Sequence, residues 1–267
     1  MRARAFAKAL FSLFVALPLV AYAQDSVFIE DLTSPELQAL VHGGRTIALV
    51  PIGGTEQNGP HMTLGKHNVR VKALAEKIAR ALGNALVAPV IAYVPEGNVN
   101  PPTLHMRFAG TMTVPATTFE SVLEYTARSL RASGFRDIVF IGDHGGYQRN
   151  EEAVAKKLNR EWSATHVRVH ALTDYYRVTE TEYRQALKSR GFSDSEIGTH
   201  AGVADTSLAL AIDPRIVREE QLAGRTPLDA AHGVYGDPRR ASVAVGAVGV
   251  DLIVRESVAA IRRAALH

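Results

Sequence analysis

The sequence predicts an α/β fold, in which a mostly parallel sheet carries helices on both faces. Short apolar segments, typical of buried strands, alternate along the chain with longer segments whose apolar residues recur at helical spacing. The polar clusters that could carry chemistry directly follow strand segments. Parallel sheets bind ligands beyond the carboxyl ends of their strands, so this placement predicts a functional site at that edge.

Four segments are predicted to be strands. They are short and apolar, and the first of them runs into Gly53 and Gly54. A continuous apolar run, rather than strict alternation, is typical of a strand that is buried on both faces. The predicted strands are residues 46–52, 85–91, 137–142 and 167–172.

The segments between and after these strands are predicted to be helices. In the first of them, Val71, Leu74, Ala75 and Ile78 form one apolar stripe. The same spacing predicts helices at residues 68–82, 117–133, 150–165, 179–190 and 249–266. Residues 206–211 are apolar and predicted to be buried, but their pattern does not distinguish helix from strand.

The first 23 residues are predicted to be a signal peptide. Arg2, Arg4 and Lys8 precede an apolar stretch of 12 residues, which ends at the small-residue sequence Ala21-Tyr22-Ala23. Twelve residues are fewer than the roughly 20 that span a bilayer, which favours cleavage over an uncleaved anchor helix. We therefore expect a periplasmic or secreted protein whose single domain is residues 24–267.

The charge balance argues against nucleic acid as a partner. The chain has 30 Lys and Arg against 27 Asp and Glu, and three of the bases lie in the predicted signal peptide. The mature chain is then electrically balanced, so we expect no binding to nucleic acid and none to a membrane after cleavage. Since the chain has no cysteine, a metal ion would have to be bound by His, Asp and Glu.

The loop after the first strand has the densest set of candidate ligands. Glu56, His61 and His67 lie within 12 residues, among glycines and a proline that favour an irregular loop. Such a loop could aim three side chains at one point. A surface turn with solvated polar residues is about equally consistent with the pattern.

Two further clusters could join this loop. Asp143 and His144 follow the third strand, where Asp143 could instead cap a helix. His200 and Asp205 lie before the buried segment 206–211, where Asp205 could also act as a cap. His105 is a possible substrate contact.

Five blocks of sequence resemble the creatininase (creatinine amidohydrolase) family. VPIGGTEQNGPHMTLGKHN is similar to the segment in which a strand of that family leads into G-S/T-x-E-Q-H-G-P-H-L-P-L-x-T-D. FRDIVFIGDHGG is similar to its F-x-x-I-x-x-x-N-G-H-G-G segment. FAGTMTVPATTF, HAGVADTS and GVYGDPRRAS resemble three further segments, and all five occur in family order.

This resemblance implies a three-layer α/β fold, a site with one or two divalent metals, and hydrolysis of an amide. It also implies a homo-oligomer, since family members often form hexamers. Glu56 and His144 match metal-binding residues of the family, and His200 matches a histidine near the substrate. His67 falls where the family has a bridging aspartate, and Asn58 where it has a ligating histidine.

These replacements predict a single metal ion. A neutral imidazole does not easily bridge two cations, whereas a carboxylate with two oxygens can. We therefore expect one zinc or manganese ion per chain, bound by Glu56, His67 and His144, with a position left for water. His200 and Asp205 are the candidates for proton transfer, and His61 and His105 for substrate binding.

The predicted function is hydrolysis of a C–N amide bond in a small, cyclic compound by a metal-activated water. The same site could hydrolyse a lactone or another small ester. The alternative from a different class is a periplasmic small-molecule binding protein that has the fold without turnover. A hydrolase with paired carboxylates, as in glycosidases, is disfavoured because the sequence offers no convincing pair.

Overall fold

Four parallel strands form the sheet of the computed structural model, which describes residues 26–222 and 228–265. The predicted signal peptide lies outside the described residues. Strands β1 and β3 pair along their whole length, with Ile47 opposite Asp137 and Ile52 opposite Gly142. The strands are β1 (Ile47–Ile52), β2 (Ala85–Val87), β3 (Asp137–Gly142) and β4 (Arg168–Ala171).

The strand order, β2-β1-β3-β4, creates a crevice between β1 and β3. After β1 the chain adds β2 on one side, then crosses to add β3 and β4 on the other side. The loops that follow β1 and β3 therefore leave the sheet in opposite directions. Open parallel sheets bind their ligands at such a point, beyond the carboxyl ends of the strands.

Helices cover both faces of the sheet. Helices α1 (Ser34–His42), α3 (Ala116–Ala132) and α4 (Gln148–Glu161) contribute to the core on one face. Helices α2 (Lys66–Leu82), α5 (Thr173–Val178), α8 (Val203–Ile212) and α10 (Val243–Ala264) contribute to the core on the other. This arrangement confirms the predicted three-layer α/β fold.

The strands are buried on both faces because successive side chains point to opposite sides of a pleated sheet. Leu49 and Val139 belong to the core on the α2 side, whereas Val50 and Phe140 belong to the core on the α3 side. Every residue of β1 is buried. This is why the strands could be predicted as continuous apolar runs.

Shorter helices complete the chain, and most of them lie between β4 and α10. They are α6 (Arg184–Lys188), α7 (Asp194–Ile197) and α9 (Glu219–Leu222), together with a π-helix at Thr179–Tyr183. Single 3-10 turns occur at Ile29–Asp31, Leu104–Arg107, Gly145–Tyr147, Pro214–Ile216, Ala230–His232 and Pro238–Arg240. Within residues 26–222 and 228–265, no helix combines the length and apolar character needed to cross a membrane.

The predicted elements agree with the structure apart from their ends. The predicted strand at 85–91 ends as a regular strand at Val87, although Ile91 still pairs with Ile52 through an isolated bridge. The segment 206–211 lies inside the helix α8. Helix α10 begins at Val243, where the Ser242 side chain accepts a hydrogen bond from the Val245 N–H. The helical pattern had placed its start at residue 249.

Candidate functional site

The site lies at the carboxyl edge of the sheet, where three strands or their extensions end. Glu56 lies in the loop after β1, Glu96 follows the extension of β2, and Asp143 and His144 follow β3. The hydroxyl of Tyr147 lies 2.6 Å from the Gly53 carbonyl oxygen and 3.1 Å from the Asp143 and His144 amide nitrogens. This one side chain therefore ties the ends of β1 and β3 together.

Glu56 is the central side chain of the site and is fully buried. Its Oε1 atom lies 2.7 Å from His67 Nε2 and 3.8 Å from Lys66 Nζ. Its Oε2 atom lies 3.2 Å from His105 Nε2 and 3.7 Å from His144 Nε2. Within the described part of the chain, no N–H or hydroxyl group donates a hydrogen bond to Oε2.

The carboxyl group of Glu56 is ionised. Burial by itself would raise its pKa, but the charge and hydrogen bond of His67 and the charge of Lys66 outweigh burial. The pKa of Glu56 is held well below its ordinary value of 4.5. The buried Oε2 atom therefore belongs to a carboxylate and faces the imidazoles of His105 and His144.

Glu96 provides a second carboxyl group beside Glu56. It is only 1% exposed, and no donor among the described residues reaches either of its oxygens. Burial, followed by the charge of Glu56, raises the pKa of Glu96 to about 9. At neutral pH the two carboxyl groups together therefore retain one proton, as closely spaced carboxyl pairs do.

Two imidazoles face the same point. Burial lowers the pKa of His105 and lowers that of His144 to about 4, so both rings are neutral at neutral pH. Ligand atoms of Glu56, Glu96, His105 and His144 all lie within 4.8 Å of one another. Two neutral imidazoles and two carboxyl groups, with buried oxygens that lack donors, fit a divalent cation.

One hydrogen bond bears on how His144 would bind such a cation. Its Nδ1 atom accepts a hydrogen bond from the Gly146 N–H at 3.1 Å. An imidazole that binds a cation through Nε2 carries its hydrogen on Nδ1. Binding through Nε2 would therefore require the turn at Gly145–Tyr147 to release this bond.

His67, a predicted metal ligand, lies between two carboxylates. Nε2 is 2.7 Å from Glu56 Oε1, and Nδ1 is 2.6 Å from Asp143 Oδ2. Asp143 is also ionised, because the opposing effect of burial on its pKa is outweighed by Arg70 and His67. Arg70 Nη2 also lies 3.3 Å from Nδ1. Both ring nitrogens are therefore already in contact with polar side chains of the chain.

His200 and Asp205, the predicted catalytic pair, lie on the other side of Glu56. His200 Nε2 lies 3.0 Å from the Gln57 carbonyl oxygen and 3.2 Å from the Gln57 side-chain nitrogen, and Nδ1 lies 3.6 Å from Glu56 Oε1. Burial, with the charge of Lys66, lowers the pKa of His200 to about 3. The ring is therefore neutral throughout the physiological pH range, with one of its nitrogens able to accept a hydrogen bond.

The carboxylate of Asp205 is already paired. Its oxygens lie 3.1 Å from Lys66 Nζ and 2.7 Å from Arg70 Nη1, and one accepts from the Ala201 N–H at 3.0 Å. Although burial opposes ionisation, Lys66 and Arg70 hold the pKa of Asp205 well below its ordinary value. Ala201 has a positive φ of 55°, and this bend turns its N–H toward the carboxylate.

The two predicted substrate-binding histidines have different surroundings. His105 is part of the four-residue cluster, and its Nδ1 atom lies 3.1 Å from Gln57 Nε2. His61 is fully buried, with Nε2 3.0 Å from the Thr206 hydroxyl. Burial lowers the pKa of His61 to about 4. The structure thus brings His105, but not His61, against Glu56.

A small cavity opens beside this group. Its volume is about 70 Å³, and polar and apolar atoms line it about equally. Its polar lining includes His67, Arg70, Asp143, His144, His200 and Asp205, together with Tyr176, Glu180 and Arg184. A small compound bound there would contact His144 and His200.

Three residues of the site were absent from the sequence prediction. Glu96 carried a weak signal, since it follows an apolar segment and precedes Gly97, as Glu56 follows a strand and precedes a loop. Lys66 and Arg70 carried none, because charged residues at the start of a helix are usually solvated. Their burial results from the packing of α2 against the loops after β1 and β3.

Comparison with known proteins identifies the relatives of the chain. The family described as Creatininase: Creatinine amidohydrolase matches residues 30–261. A creatinine amidohydrolase of Pseudomonas putida is 28% identical over 212 residues, 76% of this chain and 78% of the relative. A mycofactocin precursor peptide peptidase of Mycolicibacterium smegmatis is 30% identical over 238 residues, 80% of this chain and 82% of the relative.

The fold of this chain also occurs among solved structures. A mutant creatininase of the Zn-Zn type superposes with a TM-score of 0.71 at 27% identity. The superposition covers 89% of this chain and 98% of that chain. The likeness therefore extends over nearly the whole relative.

Proposed function

The chain belongs to the creatininase family, and from this premise we propose that it hydrolyses a C–N amide bond in a small compound. The chain is an enzyme of the metal-dependent amidohydrolase type. The observation that carries the proposal is the cluster of buried Glu56 and Glu96 with half-buried His105 and His144, in which no N–H or hydroxyl of the described residues donates to Glu56 Oε2 or to either oxygen of Glu96.

We propose that these four residues hold one divalent cation, zinc or manganese. His67, which was predicted as a ligand, would then act by orienting Glu56 through its 2.7 Å hydrogen bond to Oε1. This leaves Oε2 directed toward His105 and His144. Residues that orient a ligand in this way commonly strengthen metal binding.

A cation bound there would polarise the scissile carbonyl group and make a water molecule acidic enough to attack it near neutral pH. Among the residues of the chain, His200 is suited to move the proton. Its ring is neutral and so has one nitrogen without a hydrogen, Nδ1 lies 3.6 Å from Glu56 Oε1, and Nε2 lies within hydrogen-bond distance of Gln57. His200 would take a proton from the water and return it to the departing nitrogen.

Asp205 is better suited to position other groups than to transfer protons. Both of its oxygens are hydrogen-bonded, one to Arg70 and the other to Lys66 and the Ala201 N–H, so neither is free to take a proton. It holds Lys66 beside Glu56 and, through the Ala201 N–H, holds the turn that carries His200.

The size of the cavity supports a small substrate. Its volume of about 70 Å³ suits a compact ring better than an extended chain. Two polar side chains line the cavity and could bind such a ring. Glu180 offers a carboxyl group, whose pKa is raised by burial, and Arg184 offers a guanidinium group. A small lactone is a close alternative, since the same activated water attacks esters.

A second candidate substrate is a peptide. An open groove of about 370 Å³ lies on the other side of His105, lined by Gln57, Leu104, Arg107, Phe108 and Tyr235. Leu104 and Tyr235 are 71% and 50% exposed, respectively. The peptidase relative, at 30% identity, favours testing peptides in parallel.

The test is hydrolysis by metal-stripped protein reloaded with Zn²⁺ or Mn²⁺. Small lactams, the matching lactones and short peptides would be assayed by mass spectrometry. We expect turnover that depends on added metal and is abolished in Glu56→Gln. Glu76→Gln, which changes a half-exposed glutamate of α2, should leave turnover intact. A panel that binds but is never cleaved would overturn the proposal in favour of a small-molecule binding protein.

Export and assembly are also proposals. The signal peptide at residues 1–23 would direct the chain to the periplasm or the medium, and it can be tested by N-terminal sequencing of the mature protein. We propose a homo-oligomer, a hexamer by resemblance to the family. Sedimentation equilibrium on the mature protein would measure it.

A further inference from the structure

Six buried or half-buried side chains form a closed ring next to the proposed metal site. Around the ring, carboxylates alternate with the nitrogen-bearing side chains of histidine, arginine and lysine, and every neighbouring pair lies between 2.6 and 3.8 Å apart. In order, the members are Glu56, His67, Asp143, Arg70, Asp205 and Lys66. We call these six side chains the charge ring.

The donors of the charge ring occupy nearly all of its carboxylate oxygens. Both oxygens of Asp143 accept from Arg70 Nε, and Tyr175 adds a hydrogen bond of 2.7 Å to Oδ1. Asp205 accepts from Arg70 on one oxygen and from Lys66 on the other. Among the described residues, only Glu56 Oε2 of these six oxygens receives no hydrogen bond.

Lys66 and Arg70 place two fixed positive charges among the three carboxylates. Lys66 is fully buried, with Nζ 3.8 Å from Glu56 Oε1 and 3.1 Å from Asp205 Oδ2. A metal ion in this region would have to displace the ammonium group and then lie close to the Arg70 guanidinium. In a buried region of low dielectric constant, such like charges repel strongly.

On the other side of Glu56 the situation is reversed. Oε2 faces Glu96, His105 and His144, which offer two further carboxyl oxygens and two imidazole nitrogens. One ligand atom from each of these residues and from Glu56 lies within 4.8 Å of the others. The Oε2 side of Glu56 can therefore accommodate a metal cation, whereas the Oε1 side is occupied by Lys66 and His67 of the charge ring.

We propose that Lys66, His67 and Arg70 take the place of a second metal ion, so that this chain binds one divalent cation where the Zn-Zn type relative has two zinc ions. This inference rests on the proposed function, because it concerns the same site. The side chains of the charge ring hold Glu56 in place and supply fixed positive charge beside it. Metal binding then requires only the ligands around Oε2.

The experiment counts metal ions per chain without measuring activity. Metal-stripped wild-type protein is titrated with Zn²⁺, and native mass spectrometry records the number bound. We expect one per chain. In the double variant Lys66→Met/His67→Asp, which removes the buried ammonium group and replaces the imidazole by a carboxylate, we expect two. The control Lys72→Met, a half-exposed lysine on the same helix, should still bind one.

Two zinc ions on the wild type would overturn the inference, and so would one zinc ion on a folded double variant. No zinc on the wild type would overturn both this inference and the proposed hydrolase. One zinc ion without any hydrolysis would support the charge ring and count only against the hydrolase.

If the double variant does not fold, wild-type protein loaded with Mn²⁺ provides the test. Electron paramagnetic resonance should show the spectrum of isolated Mn²⁺ ions. The signal of an exchange-coupled pair would contradict the inference.

Discussion

Arg70 Nε lies 2.9 Å from Asp143 Oδ2, in an ion pair whose partners are 73 residues apart and both buried. Arg70 lies on α2 and Asp143 follows β3, so the pair joins a helix to the crevice beside the site. The charges of Asp143 and Asp205 raise the pKa of Arg70 above its ordinary value in spite of burial. The guanidinium of Arg70 therefore remains charged, and the two carboxylates stabilise that charge.

We expect Asp143→Asn to destabilise the protein strongly. The amide leaves Arg70 and His67 buried without their shared carboxylate, and breaking a buried ion pair in this way costs about 3–5 kcal/mol. The free energy of unfolding, measured by urea denaturation, should fall by that amount. Asp194→Asn, which removes an exposed partner of Arg184 and Lys188, should leave it nearly unchanged. Equal effects of the two changes would contradict the prediction.

Glu96→Gln should weaken metal binding without unfolding the protein. Gln has nearly the same shape as the protonated glutamic acid that we infer at neutral pH, but it cannot become a carboxylate. We expect the dissociation constant for Zn²⁺ to rise at least about tenfold, or roughly 1.4 kcal/mol. Isothermal titration calorimetry measures this, with Glu76→Gln as the exposed control. Unchanged affinity would remove Glu96 from the proposed ligands.

Metal binding should release a proton. Because the pKa of Glu96 is raised to about 9, its carboxyl group holds a proton at pH 7 that a bound cation would displace. Affinity should therefore increase with pH, by about tenfold per pH unit, and level off near pH 9. Calorimetry in buffers of different ionisation enthalpy counts the protons. Glu96→Gln should abolish this release, and a wild type that releases none would refute the prediction.

Gly54→Ala should disturb the site more than the fold. The φ of Gly54 is 152°, and a Cβ atom there would lie 2.7 Å from Glu96 Oε1. The substitution should push Glu96 away and reduce metal affinity. Gly83 also has a positive φ, of 82°, but a Cβ there meets nothing within 4 Å among the described residues. Gly83→Ala should therefore cause backbone strain without displacing a neighbouring side chain. Only Gly54→Ala should lower the affinity for Zn²⁺ in calorimetry.

Glu151→Gln should change how stability depends on pH. Glu151 is fully buried, and neither of its oxygens has a partner among the described residues. Burial raises its pKa well above 4.5, so the native carboxyl group stays protonated where the unfolded one ionises. Its contribution is thus complete below about pH 4.5 and is lost as pH rises. The variant should lose this decline in the free energy of unfolding, which urea denaturation from pH 4 to pH 8 measures. If the free energies of the wild type and the variant change with pH in parallel, the prediction is contradicted.

The location of the site could be predicted from local sequence, whereas its atomic arrangement could not. Glu56 and His144 follow apolar strands directly, so they could be placed at one edge of a parallel sheet. Glu96 and His105 come from the long segment between β2 and α3, which has little periodicity. Their distances to Glu56 depend on how that segment folds back.

His67 illustrates the difference most clearly. As a residue type it can bind a metal, and its spacing from Glu56 agrees with that role. In the folded chain, however, Asp143 approaches it from a different strand and leaves both ring nitrogens hydrogen-bonded. Whether His67 binds metal remains a prediction, which the metal count of its variant would decide.

The sequence by itself determined the layered α/β fold, the strand segments and the family, because apolar periodicity and short motifs are local properties of the chain. Only the tertiary structure decided that Glu56 Oε1 faces Lys66 and His67, whereas Oε2 faces His105 and His144. Lys66, Arg70, Asp143 and Asp205 meet only after α2 has packed against the ends of β1 and β3. Burial then sets the charges, since a group removed from water responds mainly to the neighbours that packing brings to it.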